Sequence, residues 1–355
     1  MYVLIEPTII ESQKSKMQPD SLMNRPFKWQ NMSDIQDDPE LLALAIQQKS
    51  NVGKFRADST SQSYASSWKR FERWCKQKKF DPYTVSPFII SLYLQGILNE
   101  SNTECPVLNM SAAIAYYRKM VSNEELGKSI EFIYMRETAR RTHEKRGITK
   151  KRALSDTMLQ QLAIKFSSCG NPGYEQDFCM IIVGVGAYGR FSDITTCIEY
   201  ENLTFEKECV IMQFFKRKQD QSGKKWGPIT LECDDDDDDC AYKVLLRFLT
   251  KYGISSGPLF RKIRGDGKGF VSNDRMGYSR FLERMRERLR DIGLTEDESK
   301  MYATQSLRRS GATIDAAKGL SNEQRKFKGQ WASAKVAESY VDKPLALEMS
   351  KKWKR

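Results

Sequence analysis

Apolar positions recur at helical spacing along most of this chain and alternate at strand spacing in one short region. After Ser59-Thr60-Ser61, whose hydroxyls suit a helix start, Tyr64, Trp68, Phe71 and Cys75 follow at spacings of four, three and four, the mark of an amphipathic helix. Its other faces carry Lys69, Arg70, Arg73, Lys76, Lys78 and Lys79. The aromatic stripe reads as core, and the basic faces read either as solvated surface or as contacts for an anionic partner. Asp81-Pro82 and Ser86-Pro87 punctuate the chain, with Pro87 placed for the first turn of a second helix. Phe88, Ile89, Leu92 and Ile97 are its expected apolar side. Further helices are expected near Met110–Val121 and Lys128–Lys145, the last bearing Arg136, Arg140 and Arg141. Residues 57–146 therefore read as a small helical bundle with basic faces. Residues 1–56 are polar and irregular, an arm expected to be partly disordered, with a short helical run at Leu41–Gln48.

A basic, aperiodic stretch, residues 147–155, reads as a linker, and Ser155-Asp156 caps the next helix. From there the character changes. Phe178–Ala187 is almost continuously apolar, a buried helix running into Tyr188-Gly189-Arg190. Asn202–Phe205 and Cys209–Phe215 alternate like strands around a Glu206-Lys207-Glu208 turn, and a basic loop leads to a third strand at Pro228–Leu231. Six aspartates, Asp234–Asp239, form a solvated acidic run before a helix at Tyr242–Leu249. Helices near Arg275–Ile292, Gln305–Ala317, Asn322–Lys328 and Ser333–Tyr340 complete a domain over residues 156–345, followed by a basic tail, residues 346–355. The fold class expected is mainly α with a small antiparallel β-sheet.

Composition narrows the chemistry. A net charge of +12 over 355 residues favours an anionic partner such as nucleic acid. The 8 cysteines form no C-x-x-C pair, which disfavours structural zinc and a disulfide framework and fits reduced thiols inside a cell. The single histidine, His143, lies in the basic run ARRTHEKR, so neither a Ser–His–Asp triad nor a His-ligated metal site is expected. No apolar run is long enough to span a bilayer.

Four segments carry candidate chemistry together: Gly189-Arg190-Phe191-Ser192-Asp193; Lys216-Arg217-Lys218-Gln219 where a hairpin begins; Gln305-Ser306-Leu307-Arg308-Arg309 leading to Thr313; and Gly329-Gln330-Trp331, followed nine residues later by Tyr340. Singly, an arginine is usually an ion-pair residue and a helical tyrosine usually core. Their order and spacing behind a basic helical bundle give them weight.

This combination resembles the catalytic domain of the tyrosine recombinase (phage-integrase) family, and the resemblance covers roughly residues 57–345. It implies that residues 57–146 are a helical core-binding (SAM-like) DNA-binding domain and residues 156–345 a mixed α/β catalytic domain. It places the two active-site arginines at Arg190 and Arg308, the supporting acid at Asp193, and the lysine at Lys218, with Lys216 as the alternative. The His-or-Trp position falls on Trp331 and the nucleophile on Tyr340. The style of the region also resembles eukaryotic mobile-element enzymes of the Crypton and DIRS groups. Double-stranded DNA is the implied partner, with a homo-tetramer on DNA from a chain monomeric when free. DNA contacts are expected from Lys69, Arg70, Arg73, Lys76, Arg136, Arg140, Arg141, Lys150, Lys151 and Arg152.

The residue types suit that reaction. A phosphodiester under attack gathers negative charge on its non-bridging oxygens, and two guanidinium groups can grip them while remaining charged. A phenol, with an ordinary pKa of about 10, reacts more readily as phenolate beside cations. The lysine would protonate the leaving 5′ oxygen. Because the phosphotyrosyl bond conserves the energy of the broken linkage, no cofactor, ATP or metal is expected. Gln305 departs from the pattern, since it stands where the family usually has histidine and cannot carry a proton. The leading expectation is a recombinase serving integration, excision or transposition. The alternatives are a DNA-binding protein that keeps the fold with weak or lost cleavage, and a type IB-like topoisomerase. The location expected is intracellular and DNA-associated, with basic runs Lys145–Arg152 and Lys351–Arg355 suiting import into a nucleus.

Overall fold

The structure, a computed structural model, describes residues 32–35, 37–51, 58–122, 124–143, 150–215, 217, 220 and 224–353. The chain divides into two compact units, residues 1–148 and 149–355. Most of the expected N-terminal arm lies outside the described residues. Within it, helix α1 spans Pro39–Asn51, started by the Asp38 carboxylate, which accepts the N–H groups of Glu40 and Leu41.

The rest of the first unit comprises α2 (Asp58–Gln77), α3 (Pro87–Glu100), α4 (Cys105–Ser122) and α5 (Ile130–His143). Helix α2 begins one residue ahead of the hydroxyl triplet. Trp68, Phe71 and Cys75 are fully buried on its inner side, where Trp68 lies 5.0 Å from both Tyr83 and Tyr117 and Phe71 5.2 Å from Tyr93. Ser86 caps α3 by accepting the Ile89 N–H, and Pro87 occupies its first turn. The apolar side expected of α3 needs correction. Ile90, Tyr93, Leu94, Ile97 and Leu98 are buried, whereas Phe88 and Leu92 are 60% and 51% exposed. Residues 88–98 are apolar on nearly every side, so spacing alone cannot choose the inward face.

In the second unit, residues 150–155 are bound into the fold rather than forming a free linker. Ala153 and Leu154 are buried, the Leu154 N–H donates to Ser310 Oγ at 2.7 Å, and the Arg152 N–H donates to the Met301 carbonyl at 3.0 Å. Helix α6 (Asp156–Phe166) is capped by Ser155, and α7 (Pro172–Gly186) by the Asn171 side chain, which accepts the N–H groups of Gly173 and Tyr174. The chain continues as the short α8 (Phe191–Thr195), then β1 (Leu203–Phe205), β2 (Cys209–Met212), β3 (Ile229–Glu232), α9 (Ala241–Lys251), β4 (Arg261–Ile263) and β5 (Phe270–Arg275). It closes with α10 (Tyr278–Asp291), α11 (Glu296–Lys300), α12 (Thr304–Ala317), α13 (Asn322–Gly329), α14 (Ala334–Tyr340) and α15 (Lys343–Trp353).

Helix α7 is the axis of this unit. It is buried almost throughout, as its unbroken apolar run requires, and α6, α9, α10 and α12 pack around it. The sheet is antiparallel in the order β1-β2-β3, with Val210 opposite Leu231 and Met212 opposite Ile229. Those four residues are buried on one face, as period-two alternation demands. A second hairpin, β4–β5, was not expected from sequence, because its strands carry Arg261, Lys262, Asn273, Asp274 and Arg275. Residues 346–355, expected as a basic tail, belong largely to α15. This helix packs on α12, buries Ala346 and Met349, and donates from Lys352 Nζ to Thr157 Oγ1 at 3.2 Å. Among the described residues, no helix is long and apolar enough to cross a membrane.

Candidate active site

Arg308 is the buried centre of the site. It sits on the inner face of α12 at 2% exposure. A buried guanidinium must find acceptors, and the ends of two helices supply them. Nη1 donates to the Tyr188 carbonyl at 2.6 Å, just past α7, and Nη2 donates to the Gly329 carbonyl at 2.5 Å, at the end of α13. Both helix ends turn through a non-glycine residue in the left-handed region, Tyr188 at φ 49° and Gln330 at φ 50°. Such a conformation costs about 1–2 kcal/mol in a residue with a side chain, and here it frames one arginine. Helix C-termini also carry partial negative charge, which favours a cation between them. Burial, and next the Arg190 charge, hold the Arg308 pKa below the usual guanidinium range, while Tyr340 and Asp193 pull it back up.

Three aromatic rings cluster around this guanidinium. Tyr188 lies 5.4 Å from Trp331, and Trp331 stacks on Tyr340 at 5.0 Å with 27° between planes. The Arg308 guanidinium lies 4.5 Å from the Trp331 ring and 5.4 Å from that of Tyr340. Tyr340, the last residue of α14, is partly exposed. Two glycines permit the packing. A Cβ on Gly311 would lie 2.3 Å from the Val185 carbonyl oxygen, and one on Gly329 would lie 2.4 Å from the Trp331 ring. Trp331 is 1% exposed, and its indole N–H finds no acceptor among the described residues. Behind the stack, the Tyr188 hydroxyl donates to Asp315 Oδ2 at 2.6 Å, an oxygen that Lys328 also pairs with at 2.6 Å. Burial, reinforced by Asp315, raises the Tyr188 phenol well above its ordinary value.

Arg190 enters from α8, whose first turn it precedes. Its N–H donates to Asp193 Oδ2 at 3.2 Å, and its Nη1 lies 3.6 Å from the same oxygen. Asp193 is fully buried, and its closest cation among the described residues is Arg217, with Nη2 at 3.0 Å. Arg217 also donates through Nη1 to Gln330 Oε1 and lies with its guanidinium 4.5 Å from the Phe214 ring. The Gln330 amide in turn donates to the Gly227 carbonyl at 2.7 Å. Arg217 and Gln330 were not singled out from sequence. The segment KRKQDQ reads as a solvated basic loop, and nothing in it marks the one arginine that turns inward.

The expected residues divide accordingly. Arg190, Asp193, Arg308, Trp331 and Tyr340 come together. Lys218, and Lys216 as its alternative, lie outside the described residues. Gln305 is on the first turn of α12, one turn before Arg308, and its side chain is exposed. Chemically, the assembly offers a partly exposed phenol beside buried cations and a buried indole donor without an acceptor among the described residues, which suits an anion approached by an oxygen nucleophile.

No protein-family model matches the chain. The integrase/recombinase XerD homologue of Selenomonas ruminantium is 25% identical over 223 residues, which is 62% of this chain and 64% of that protein. The match therefore spans less than two thirds of the relative. Among solved structures, XerH site-specific recombinase, in a post-cleavage complex with a palindromic difH substrate, aligns with a TM-score of 0.55 at 13% identity. That alignment covers 87% of this chain and 83% of XerH. A λ integrase dimer bound to a COC′ core site aligns at 0.51 with 12% identity, over 81% of this chain and 89% of that one. The chain has the tyrosine-recombinase fold. The mainly helical architecture with small antiparallel sheets, expected from sequence, is borne out.

Within the recombinase fold, the basic residues expected to touch DNA fall into different settings. In the first unit, Lys69, Arg70 and Arg73 line a shallow groove of about 510 Å³ with Ser66, Asn109 and Met110. Lys76 is exposed near the end of α2. Arg140 and Arg141 pair with Glu137 on the surface of α5. Arg136 turns back on its own unit and donates to the carbonyls of Phe132 and Gly127 at 3.2 and 2.5 Å. In the second unit, Lys150 Nζ donates to the Ser339 carbonyl at 3.2 Å, next to Tyr340, and Lys151 Nζ to that of Lys300 at 2.8 Å. The Arg152 side chain is exposed.

Proposed function

We propose that this chain is a site-specific DNA recombinase that cleaves and rejoins double-stranded DNA through a 3′-phosphotyrosyl intermediate. The observation that carries the reading is the convergence of Tyr340, Trp331 and Arg308 within 4.5–5.4 Å of one another, with Arg190 close enough to depress the Arg308 pKa. In this reading the hydroxyl oxygen of the partly exposed Tyr340 bonds to phosphorus as its proton passes to solvent, and the bond from phosphorus to the 5′ oxygen breaks. Arg190 and Arg308 bind the non-bridging oxygens, and the Trp331 N–H donates to one of them. Lys218 protonates the departing 5′ oxygen, a role that rests on the sequence resemblance. Attack by a 5′ hydroxyl on the phosphotyrosine reverses the step without an external energy source. Gln305 contributes a hydrogen bond and no proton.

DNA is held by the groove around Lys69, Arg70 and Arg73, by Lys76, Arg140 and Arg141, and by Lys150, Lys151 and Arg152. A homo-tetramer assembles on two DNA sites from a chain monomeric when free. The reaction serves integration, excision or transposition. Placement among Crypton- and DIRS-like enzymes of eukaryotic elements, and with it a nuclear location, rests on the sequence style of residues 57–345 alone. A second reading, a DNA-binding protein with weak or lost cleavage, is favoured by Gln305 at the usual histidine position.

The test is incubation with nicked suicide duplexes carrying the element's own termini, followed by denaturing gels. A covalent adduct present in the wild type and absent in Tyr340→Phe supports the recombinase. Salt-sensitive binding without any adduct supports the second reading.

A further inference from the structure

Asp193 presents an unusual balance of charge. Its carboxylate is fully buried, and one oxygen, Oδ2, receives Arg217 Nη2 at 3.0 Å, the Arg190 N–H at 3.2 Å and, more distantly, Arg190 Nη1 at 3.6 Å. The two arginines are held differently. Arg217 is 5% exposed and fixed at its other nitrogen by Gln330, which is itself anchored on the Gly227 carbonyl, with Phe214 against its guanidinium. The Arg190 side chain is 24% exposed, and its guanidinium stands beyond hydrogen-bond distance of the carboxylate. A buried carboxylate must be neutralised, and removing its partner leaves a large penalty that any nearby cation will relieve.

We infer that Arg217 is a positioning residue: it neutralises Asp193 so that Arg190 stays turned toward a bound phosphate instead of closing onto the carboxylate. The inference rests on the reading of Arg190 as a phosphate-binding residue. Without Arg217, Arg190 needs to move by less than about 1 Å to form a close ion pair, and it is then lost to the phosphate. Asp193 thus has two duties, capping the turn that presents Arg190 and attracting a cation, and Arg217 separates them.

The test is a double-mutant cycle on the full chain. In Arg217→Met an apolar chain replaces the guanidinium that lies against Phe214, and cleavage of the nicked duplex should fall by about 30-fold or more, with DNA affinity changed less than about 3-fold. Adding Asp193→Asn keeps an oxygen for the Arg190 N–H and removes the charge that captures the guanidinium. The double variant should regain at least about 5-fold, a suppression that a merely structural role for Arg217 does not produce. Arg217→Lys should fall between wild type and Arg217→Met. Phenylglyoxal labelling of Arg190, read by peptide mass spectrometry, gives a signal independent of cleavage: slowed about 5-fold in Arg217→Met and restored in the double variant. If Arg217→Met does not fold, Gln330→Gly relaxes the left-handed backbone while releasing one end of Arg217. It should lose about 3- to 10-fold in cleavage, again suppressed by Asp193→Asn. Additive losses, or Arg190 labelling indifferent to Arg217, would overturn the inference. A wild-type chain that forms no adduct would sink the recombinase reading, while the labelling experiment would still decide the role of Arg217.

Discussion

Trp331→Phe separates the two things the Trp331 indole does. The ring is 1% exposed, stacked on Tyr340 at 5.0 Å and tilted against Tyr188 at 5.4 Å, and its N–H has no acceptor among the described residues. Phenylalanine keeps an aromatic ring between those neighbours and deletes the donor. The smaller ring leaves a void worth about 1–2 kcal/mol of lost packing. Relief of a buried, unpaired N–H returns about 1–3 kcal/mol. The two nearly cancel, so folding stability should change by less than about 1 kcal/mol, read as the midpoint of urea unfolding. Cleavage should not be spared. A preorganised donor aimed at developing phosphate charge is worth about 10²-fold in rate, so single-turnover adduct formation on the nicked duplex should slow by that order. Trp331→His, which restores an N–H, should recover part of it. The opposite outcome is a Trp331→Phe chain that loses more than about 3 kcal/mol of stability while its folded fraction cleaves at the wild-type rate. That outcome would make the indole a purely structural group.

Three further outcomes follow from the same geometry. Gly311→Ala places a Cβ 2.3 Å from the Val185 carbonyl oxygen and 2.5 Å from the Tyr188 ring. It should cost at least about 2 kcal/mol by overpacking and lower the thermal midpoint before any assay of activity. Replacing Lys69, Arg70 and Arg73 together by alanine should weaken DNA binding and make the slope of log affinity against log salt shallower by up to about 3, measured by fluorescence anisotropy. Gln305→His supplies a group able to carry a proton one turn before Arg308, and should hold or raise the cleavage rate. A complete loss would show that the Gln305 amide has a specific partner on DNA.

How much of this was legible in the sequence depended on whether burial followed from local pattern. The aromatic stripe of α2, the apolar run of α7 and the alternation of β2 and β3 each specify a face or a core position by spacing, and the structure follows them. Helix α3 is apolar all round, so spacing points Phe88 and Leu92 inward although both are exposed. Helix α15 reads as a charged tail because its buried residues, Ala346 and Met349, are few among lysines; its partner α12 makes the helix worthwhile. In the candidate site, Arg190, Asp193, Arg308, Trp331 and Tyr340 are legible through the resemblance to tyrosine recombinases that their order and spacing carry. Arg217, Gln330, Asp315 and Lys328 are not, because their roles arise from tertiary hydrogen bonds between segments distant in sequence. Gln330 had one faint signal, a position just past a helix end at which the chain must turn through a left-handed residue.

In the proposed reaction one named oxygen, Tyr340 Oη, becomes bonded to DNA. Mass spectrometry of the proteolysed adduct formed on a nicked suicide duplex reads that bond directly. A single cross-linked peptide containing residue 340 is expected, joined to the 3′ phosphate of the cleaved strand and missing in Tyr340→Phe. That variant should still fold, because phenylalanine preserves the stack on Trp331. A cross-link at another residue, or one joined to a 5′ phosphate, would contradict it.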